Sequence, residues 1–322
     1  MVEKIKKVAI HLSKSKILFD KNKGQHILQS KKTIQKIVDK AGIFPSDIVL
    51  EIGPGTGNLT LPLLQKAKKV IAVEIDKRLI LELKKRFIGT EYNKKLEIIN
   101  GDALKTDFPF FNILVANIPY QISSPLIQKL LDLGPKFRCA VIMFQKEFAD
   151  RLVAKPGDKN YSRLTVNTQM FTRIDHLLKV GKALFKPPPK VDSSVVRIEP
   201  KRPYPKIDKS QWKNMLLICF HRKNKTIGAA FRTKSHLKQL EKFHNAHCLE
   251  NKTVFLIIFN TILNPFSKKT PFEEFKSSLD EFLIREGYSS RRSAKMSCDD
   301  YVVFLNKLNK NKFYLSYPFL YN

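Results

Sequence analysis

From about residue 34 to residue 144, short continuous runs of apolar residues alternate with segments whose apolar residues have helical spacing. Residues 34–41 place their apolar side chains three and four positions apart, which predicts one buried face of a helix. The next apolar run is too short for a helix and predicts a buried strand ending near Ile52. Four more runs of this kind lie at residues 70–76, 96–102, 112–117 and 140–144, and helical spacing separates most of them. The alternation predicts a doubly wound, mostly parallel α/β sheet.

The pattern changes after the fifth run. Residues 155–175 are predicted to form a polar insertion, and the prolines at 187–189 an extended segment. Residues 195–198 predict a last strand, and the proline-rich, charged stretch 201–205 predicts a linker. From Gln211 onward the apolar spacing is helical, so we expect a second, small α-helical domain.

These patterns divide the chain into three parts. We expect a flexible basic arm at residues 1–23, an α/β domain at residues 24–200 and a helical C-terminal domain at residues 206–322. A chain of 322 residues is long enough for two domains that each bury a core.

Charge indicates the class of partner. The chain has 59 Lys and Arg against 29 Asp and Glu, a formal net charge of +30. Such an excess favours a polyanionic partner such as RNA, DNA or an anionic membrane, with a merely solubilising surface as the alternative. The 4 cysteines form no C-x-x-C pair, which disfavours zinc ribbons and thioredoxin-type chemistry and fits a reducing compartment. The basic N-terminus lacks the continuous apolar stretch of a secretory signal.

Three glycines follow the first predicted strand, at Gly53, Gly55 and Gly57. Glycine lets the backbone turn sharply and lets a ligand approach the main chain, as at the first strand of nucleotide-binding α/β sheets. The spacing is not the G-x-G-x-x-G of dinucleotide binders, and no P-loop Lys follows. The alternative is an ordinary tight turn.

Two acidic residues occupy the ends of the next two predicted strands. Glu74 lies at the end of the second strand, where a carboxylate can accept hydrogen bonds from ribose hydroxyls. Asp102 has the equivalent place on the third strand, where it can pair with the amino group of an adenine. Each could instead be a solvated acid at a strand end, but together with the glycine loop they indicate an adenosine-type ligand.

The segment Asn117-Ile118-Pro119-Tyr120 ends the fourth predicted strand and faces the same edge. Proline fixes the turn, Asn provides a carbonyl acceptor, and Tyr provides a flat ring for stacking. An extruded base with an exocyclic amine needs an acceptor and an aromatic ring of this kind. An ordinary Asn-x-Pro-Tyr turn is the alternative.

Several motifs together resemble those of the KsgA-type rRNA adenine dimethyltransferases, most closely their eukaryotic small-subunit (18S) members. The resemblance is dense over about residues 20–235 and weakens beyond. Ile118 replaces the commoner Leu of the family motif, and His26 stands where bacterial members usually have Asn. The matching segments are residues 24–28, 50–58, 117–120, 145–149, 155–159, 185–194 and 222–226.

The resemblance implies a Rossmann-like class I methyltransferase domain with a seven-stranded sheet, S-adenosylmethionine as cofactor with S-adenosylhomocysteine as product, and no metal. It implies that His26, Leu28, Gly53 and Gly55 line the cofactor site. It further implies that Glu74 holds the ribose and Asp102 the adenine, and that Asn117 contacts both the cofactor and the target amine.

For the substrate, the resemblance implies that Tyr120 and Phe185 sandwich the target adenine and that Asn117 and Tyr120 are catalytic. Either Ile118 or Pro119 would supply a backbone carbonyl to the target amine. Hydrogen bonds to that carbonyl and to Asn117 would draw the amine's lone pair out of conjugation, so we expect no general base.

Basic side chains of the second domain are expected to contact RNA. Arg222, Lys223 and Lys225 are interpreted as phosphate contacts, with a solvated helix end as the alternative. Residues 155–159 are interpreted as an RNA-facing loop, and Trp212 as a core anchor. The spacing of residues 291–295 predicts one basic helix face of unknown role.

The resemblance implies an enzyme that dimethylates two adjacent adenosines near the 3′ end of small-subunit rRNA during ribosome biogenesis. It implies a monomer that acts on a pre-ribosomal particle in the nucleus or nucleolus, with the cytoplasm left open, and that is neither secreted nor membrane-bound. One alternative is an RNA-binding checkpoint factor of ribosome assembly whose catalysis is dispensable. Another is an organellar relative that also acts in transcription.

Overall fold

The computed structural model describes residues 25–250 and 271–317 of the chain. The predicted basic arm at residues 1–23 lies outside this part. Contacts group the chain into two compact units, Met1–Lys146 with His176–Ile198, and Glu147–Asp175 with Glu199–Asn322. In residues 25–250 and 271–317, no helix is long and apolar enough to cross a bilayer.

Seven strands form one sheet in the order β4-β3-β2-β5-β6-β9-β7. The five strands β2 to β6 are parallel to one another, and β9 runs antiparallel to β6. This confirms the predicted doubly wound, mostly parallel α/β sheet. A separate antiparallel pair joins β1 to β8. The strands are β1 (Ile27–Leu28), β2 (Ile48–Ile52), β3 (Lys69–Glu74), β4 (Leu96–Asn100), β5 (Ile113–Asn117), β6 (Cys139–Gln145), β7 (Thr172–Val180), β8 (Phe185–Lys186) and β9 (Ser193–Pro200).

Three helices of the first unit connect its parallel strands, as the alternation of patterns predicts, and another helix precedes β2. Each has an apolar face that is buried, which is the reason these segments fold as helices on the sheet. The central strands are buried on both faces because helices cover them. The helix before β2 is α1 (Lys31–Ala41), and the connecting helices are α2 (Thr60–Lys66), α3 (Lys77–Phe87) and α4 (Ser123–Leu133).

The second unit is predominantly helical. Trp212 is buried in it and donates a 3.2 Å hydrogen bond from Nε1 to Oδ1 of Asn167, which confirms the prediction that this residue anchors a core. Helix α5 (Lys146–Leu152) begins at the boundary between the units. The other helices are α6 (Arg163–Phe171), α7 (Lys209–Phe220), α8 (Ile227–Phe231), α9 (Lys234–Glu250), α10 (Pro271–Arg285) and α11 (Cys298–Lys310).

The predicted polar insertion at residues 155–175 is wrong over its second half, which contains α6 and the start of β7. The polar residues of α6 misled the sequence pattern because their hydroxyls are satisfied locally. Thr165 Oγ1 donates to the carbonyl of Arg151, and Thr168 Oγ1 donates to the carbonyl of Leu164. A polar side chain with such a partner can be buried at little cost, so a polar sequence can form a buried helix.

The compact units also differ from the predicted domain boundary. Residues Glu147–Asp175 group with the C-terminal helices, whereas the predicted bounds assign them to the α/β domain. Hydrogen bonds such as that from Tyr161 Oη to the Met296 carbonyl, at 2.7 Å, explain the grouping. The bounds 24–200 and 206–322 stay a prediction.

Candidate functional site

A cavity of about 360 Å³ lies at the carboxyl edge of the parallel strands β2, β3 and β5. This volume is within the range of roughly 300–1,000 Å³ that is typical of small-molecule sites. Most of the predicted cofactor residues line it together, as expected for strand ends that meet at one edge. These are His26, Gly53, Gly55, Glu74, Asp102 and Asn117, with Pro119 beside them. Leu28, Ile118, Tyr120 and Phe185 are not part of its lining.

The glycine loop forms one wall of this cavity. Gly53 and Gly55 have φ angles of 69° and 58°, which residues other than glycine rarely adopt. A Cβ atom on Gly55 would come within 2.8 Å of Cδ1 of Ile27. The loop is tied to β3 because the Gly53 N–H donates to the carbonyl of Val73 at 2.9 Å. Glycine is therefore required here both by conformation and by space.

Glu74 lies at the end of β3, where its side chain is 6 % exposed. Its Oε1 accepts the N–H of Asp76 at 2.9 Å, and its Oε2 accepts the N–H of Gly55 at 3.3 Å. Burial raises the pKa of this carboxyl, and backbone hydrogen bonds from Asp76, Gly55 and Ile75 oppose the rise. Because a carboxylate has about four lone-pair sites, the remaining sites can accept the two hydroxyls of a ribose.

Asp76 and Gln25 are site residues that the sequence analysis missed. Asp76 begins α3 as its N-cap and accepts hydrogen bonds from the guanidinium of Arg78 and from Nε2 of Gln25, the latter at 2.9 Å. The Arg78 guanidinium holds the pKa of Asp76 well below its usual range. The predicted strand included residue 76, but an Asp before an apolar helical run is a signal for an N-cap.

Asp102 and Ile75 form another part of the lining. Asp102 lies two positions beyond the end of β4, and its Oδ1 accepts the N–H of Leu104 at 2.9 Å. Ile75, which the sequence analysis also missed, is 63 % exposed. An apolar side chain next to the Glu74 carboxylate gives the cavity an apolar surface on which a flat ring can pack.

The turn after β5 presents Asn117 to the same cavity. Nδ2 of Asn117 donates to the carbonyl of His26 at 3.1 Å. Among the described residues Oδ1 of Asn117 accepts no hydrogen bond, so it remains an acceptor for a ligand. The side chain of Ile118 is buried, so only its backbone can serve a ligand, whereas Pro119 lines the cavity.

Tyr120 lies directly after this turn and packs beside His26. Their ring centroids are 6.1 Å apart with 24° between the ring planes. The Tyr120 hydroxyl is hydrogen-bonded to Oγ of Ser193 at 2.7 Å, and Nδ1 of His26 is hydrogen-bonded to the Pro187 carbonyl at 2.9 Å. Burial raises the pKa of Tyr120, so the phenol stays neutral at physiological pH.

Phe185 has a different environment from the one predicted. It is 4 % exposed, belongs to the apolar core of the first unit and pairs with Leu28 across the β1–β8 sheet. It therefore offers no open face to a base in this structure, and stacking would require its side chain to leave this packing. The sandwich between Tyr120 and Phe185 stays a prediction.

The predicted phosphate contacts lie in the second unit, in the turn between α7 and α8. Arg222 and Lys225 are exposed, and Lys223 is half-buried, with Nζ donating to the carbonyl of Lys159 at 2.9 Å. Their role toward RNA stays a prediction.

Comparisons with known proteins found a family model and several similar proteins. A family model described as "Ribosomal RNA adenine dimethylase" matches residues 18–266. A "Ribosomal RNA small subunit methyltransferase" of Arabidopsis thaliana is 47% identical over 330 residues, covering 92% of this chain and 92% of the relative. A "Probable dimethyladenosine transferase" of Drosophila melanogaster is 46% identical over 313 residues, covering 96% of this chain and 97% of the relative.

Two solved structures resemble the chain over most of its length. A dimethyladenosine transferase from Plasmodium falciparum is 42% identical with a TM-score of 0.78, covering 90% of this chain and 100% of that one. The 23S rRNA methyltransferase ErmE is 27% identical with a TM-score of 0.59, covering 88% of this chain and 99% of that one.

Proposed function

Because this chain belongs to the ribosomal RNA adenine dimethylase family, we propose that it dimethylates two adjacent adenosines near the 3′ end of small-subunit (18S) rRNA. The family and the relatives make it an S-adenosylmethionine-dependent rRNA adenine dimethyltransferase. The name of the 47% identical Arabidopsis relative supports the small subunit, whereas the 23S rRNA methyltransferase ErmE is only 27% identical. We further propose that the chain acts as a monomer on a pre-ribosomal particle in the nucleus or nucleolus during ribosome biogenesis.

The observation that carries this proposal is the convergence of the glycine loop, Glu74 and Asn117 on one cavity. The residues fit S-adenosylmethionine, which the family and fold imply. Gly53 and Gly55 leave room where a Cβ would stand, and Glu74 offers acceptors to the ribose. Asp102 would face the adenine, and His26 and Asn117 the methionine portion. When bound, the cofactor supplies an electrophilic methyl group on a sulfonium.

The residues of the turn after β5 explain why an amine receives the methyl group. An aromatic amine is a weak nucleophile because its lone pair is shared with the ring. A hydrogen bond from the amine to Oδ1 of Asn117, and a second to the carbonyl of Ile118 or Pro119, draws that lone pair out of conjugation. Positioning of two reactants in this way can lower a barrier by roughly 7–11 kcal/mol. As the amine nitrogen bonds to the methyl group and the methyl–sulfur bond breaks, S-adenosylhomocysteine would leave, and the methylated amine, then positively charged, would lose one proton to water. The amine attacks in its neutral form, so no general base is needed before the attack.

Tyr120 would hold the target base. A base must leave its stack before an enzyme can reach its exocyclic amine, and a flat aromatic ring stabilises the extruded base. The bond between the Tyr120 hydroxyl and Ser193 fixes the ring beside His26. The carbonyl of His26 accepts the hydrogen bond from Asn117. We therefore assign Tyr120 to substrate binding and orientation, with Arg222, Lys223 and Lys225 as phosphate contacts.

The test is a methylation assay with purified full-length chain, immature small ribosomal subunits and S-adenosylmethionine labelled on the methyl group. Mass spectrometry of the rRNA should show dimethyladenosine at two adjacent positions near the 3′ end. Large subunits serve as the control and should stay unlabelled. Label in large-subunit rRNA, or no label while cofactor binding is intact, would refute the proposal.

A second experiment, in cells, separates catalysis from a checkpoint role in assembly. Cells that carry only the Asn117→Ala chain should lack dimethyladenosine. Normal maturation of small subunits in those cells would show that the presence of the chain, and not its catalysis, is what assembly requires. Arrested maturation would tie assembly to the methylation itself.

A further inference from the structure

Three basic segments that are far apart in the sequence lie together in the second unit: residues 155–159, 222–225 and 291–295. The Gly157 N–H donates to the carbonyl of Ala294 at 2.7 Å. The ammonium of Lys223 donates to the carbonyl of Lys159 at 2.9 Å, which joins the second segment to the first. A β-bridge pairs Thr226 with Arg292 and joins the second segment to the third. We call the surface of these three segments the basic surface.

The third segment is not the basic helix face that its spacing predicts. Arg292 is in an extended conformation, and Lys295 ends a short 3-10 helix, Ser293–Lys295. The cause is local: the Ile227 N–H donates to the Arg291 carbonyl at 2.8 Å, and the buried Ser293 hydroxyl donates to the Cys219 carbonyl. These bonds hold the backbone of this segment against α7 and α8 and so fix the positions from which its basic side chains extend.

Most of the charge on this surface is not neutralised by the protein. Asp300 pairs with Arg291 at 3.3 Å, and Asp158 accepts the backbone N–H of Lys155 at 2.8 Å. Among the described residues, no carboxylate lies within ion-pair distance of Arg222, Lys225, Arg292 or Lys295. All four side chains are exposed. Like charges held together without counter-charges favour an anionic ligand that spans all three segments.

We propose that the basic surface binds the phosphate backbone of the rRNA substrate, with Arg292 and Lys295 as contacts added to those of the turn between α7 and α8. This inference rests on the proposed function for its choice of RNA over other polyanions. Tyr161, the aromatic residue beside the first segment, is buried and cannot stack on a base. The surface therefore positions the RNA through its phosphates and does not select the target nucleotide.

The test is the salt dependence of RNA binding by the full chain. The probe is a transcript of the 3′ region of small-subunit rRNA, titrated at several salt concentrations. The slope of log K against log salt is negative, and each phosphate contact that is lost lowers its magnitude by roughly 0.7–0.9. The double variant Arg292→Gln/Lys295→Gln should therefore lower this magnitude by about 1.4–1.8. It leaves Arg291 and its pair with Asp300 in place.

The matched control removes the same charge elsewhere in the second unit. Lys238 and Lys242 are exposed residues of α9 and lie outside the three segments. The variant Lys238→Gln/Lys242→Gln should change the slope by less than about 0.5, since neither residue belongs to the proposed contacts. Equal slopes for the two double variants would show that only net charge matters and would overturn the assignment. Cofactor affinity and melting temperature of each variant confirm that its fold is intact.

Two further readouts separate this inference from the proposed function. Suppose that the unaltered chain fails to methylate small subunits but the magnitude of the slope still falls only in Arg292→Gln/Lys295→Gln. RNA binding by the basic surface is then supported and the proposed function fails. If the unaltered chain methylates small subunits and the slope is unchanged in this variant, RNA binding by the basic surface is refuted and the proposed function is not affected. Binding to phosphatidylserine vesicles that is lost in this variant, while its RNA slope stays unchanged, would assign the surface to membranes instead.

Discussion

Nδ2 of Asn117 donates a hydrogen bond of 3.1 Å to the backbone carbonyl of His26. This bond uses the donor side of the amide and leaves Oδ1 as the acceptor for the target amine. Asn117→Ala removes that acceptor, and we expect the rate of methyl transfer to fall by about 10²–10³, as when one aligned polar group is lost from an active site. Single-turnover methylation of small-subunit rRNA measures this rate.

The control for this variant is Asn112→Ala, just before the other end of the same strand, β5. Oδ1 of Asn112 accepts the N–H of Ile48 at 2.8 Å, so its loss should cost about 1 kcal/mol of stability. The rate per folded molecule should be unchanged. An equal loss of rate in both variants would show that Asn117 has only a structural role.

Tyr120 allows the ring and the hydroxyl to be tested separately. Tyr120→Phe loses the 2.7 Å bond to Ser193 but keeps the stacking face, so we expect the KM for RNA to change by less than about fivefold. Tyr120→Ala loses base stacking, which is worth about 1–3 kcal/mol, and should raise that KM by roughly 5–150-fold. Steady-state kinetics at saturating cofactor measure both values. A Phe variant as impaired as the Ala variant would contradict a stacking role.

Most of the residues in the cofactor half of the site could be predicted from the sequence. The apolar pattern locates the parallel strands, and the residues at their carboxyl ends meet at one edge of the sheet. Gly53 follows such a strand, and Glu74 and Asn117 are the last residues of theirs, which is sufficient to bring the three together. The contribution of Gln25 could not be predicted in this way. Its contact with Asp76 joins residues 51 positions apart through a side chain, and no periodic pattern reports such a contact.

The sequence pattern also could not predict that Phe185 is buried. Its burial depends on the pairing of two-residue strands, β1 with β8, and such short strands leave no alternation to detect. The same holds for residues 291–295, where the spacing of charges resembles a helix face. There the bonds that Arg291 and Ser293 make with residues of other segments override the local pattern.

Gly55 and Gly89 form a matched pair for testing the glycine loop. Both have positive φ angles, 58° and 75°, but a Cβ on Gly55 would stand 2.8 Å from Ile27, whereas nothing lies within 4 Å of a Cβ on Gly89. Both alanine variants should lose about 1 kcal/mol of stability through backbone strain. Only Gly55→Ala should also weaken cofactor binding, by roughly tenfold, because the loop must shift. Isothermal titration with S-adenosylmethionine measures the affinity, and similar affinities for the two variants would contradict this assignment.

Glu74 should make cofactor binding depend on pH. Burial raises its pKa in the free protein, and ribose hydroxyls donate to the charged form. Binding therefore favours the carboxylate, and the affinity should fall as pH decreases through this raised pKa, above the ordinary glutamate value of about 4.3. Titration calorimetry from pH 8 to pH 5 measures the effect.

Glu74→Gln should remove most of this dependence. It should also weaken binding by about tenfold or more at pH 8, because hydrogen bonds to a charged acceptor are worth about 1.5–3 kcal/mol. A Gln variant whose affinity falls with pH in parallel with the unaltered chain would show that another group titrates.

Glu51 is a second buried carboxyl, in β2 beneath the glycine loop, and it is 1 % exposed. Among the described residues its Oε2 has no hydrogen-bond partner. Burial raises its pKa to about 8, the charge of Glu74 adds to the rise, and Arg86 opposes it. The carboxyl is therefore mostly protonated at neutral pH, and its ionisation works against the folded state.

The sign of the effect on stability follows from this raised pKa. The contribution of Glu51 is fully present below its unfolded value, near 4.3, and is lost as pH rises toward about 8. Glu51→Gln keeps the shape of the neutral acid and cannot ionise. From pH 5 to pH 9 the variant should therefore gain roughly 2–5 kcal/mol of unfolding free energy relative to the unaltered chain, at 1.36 kcal/mol for each pKa unit. Urea denaturation at pH 5, 7 and 9 measures this difference. The control, Glu97→Gln, changes an exposed carboxylate paired with Lys69, and its free energy of unfolding should stay within about 0.5 kcal/mol of that of the unaltered chain at each pH. If the unfolding free energies of Glu51→Gln and of the unaltered chain change with pH in parallel, Glu51 does not titrate in this range.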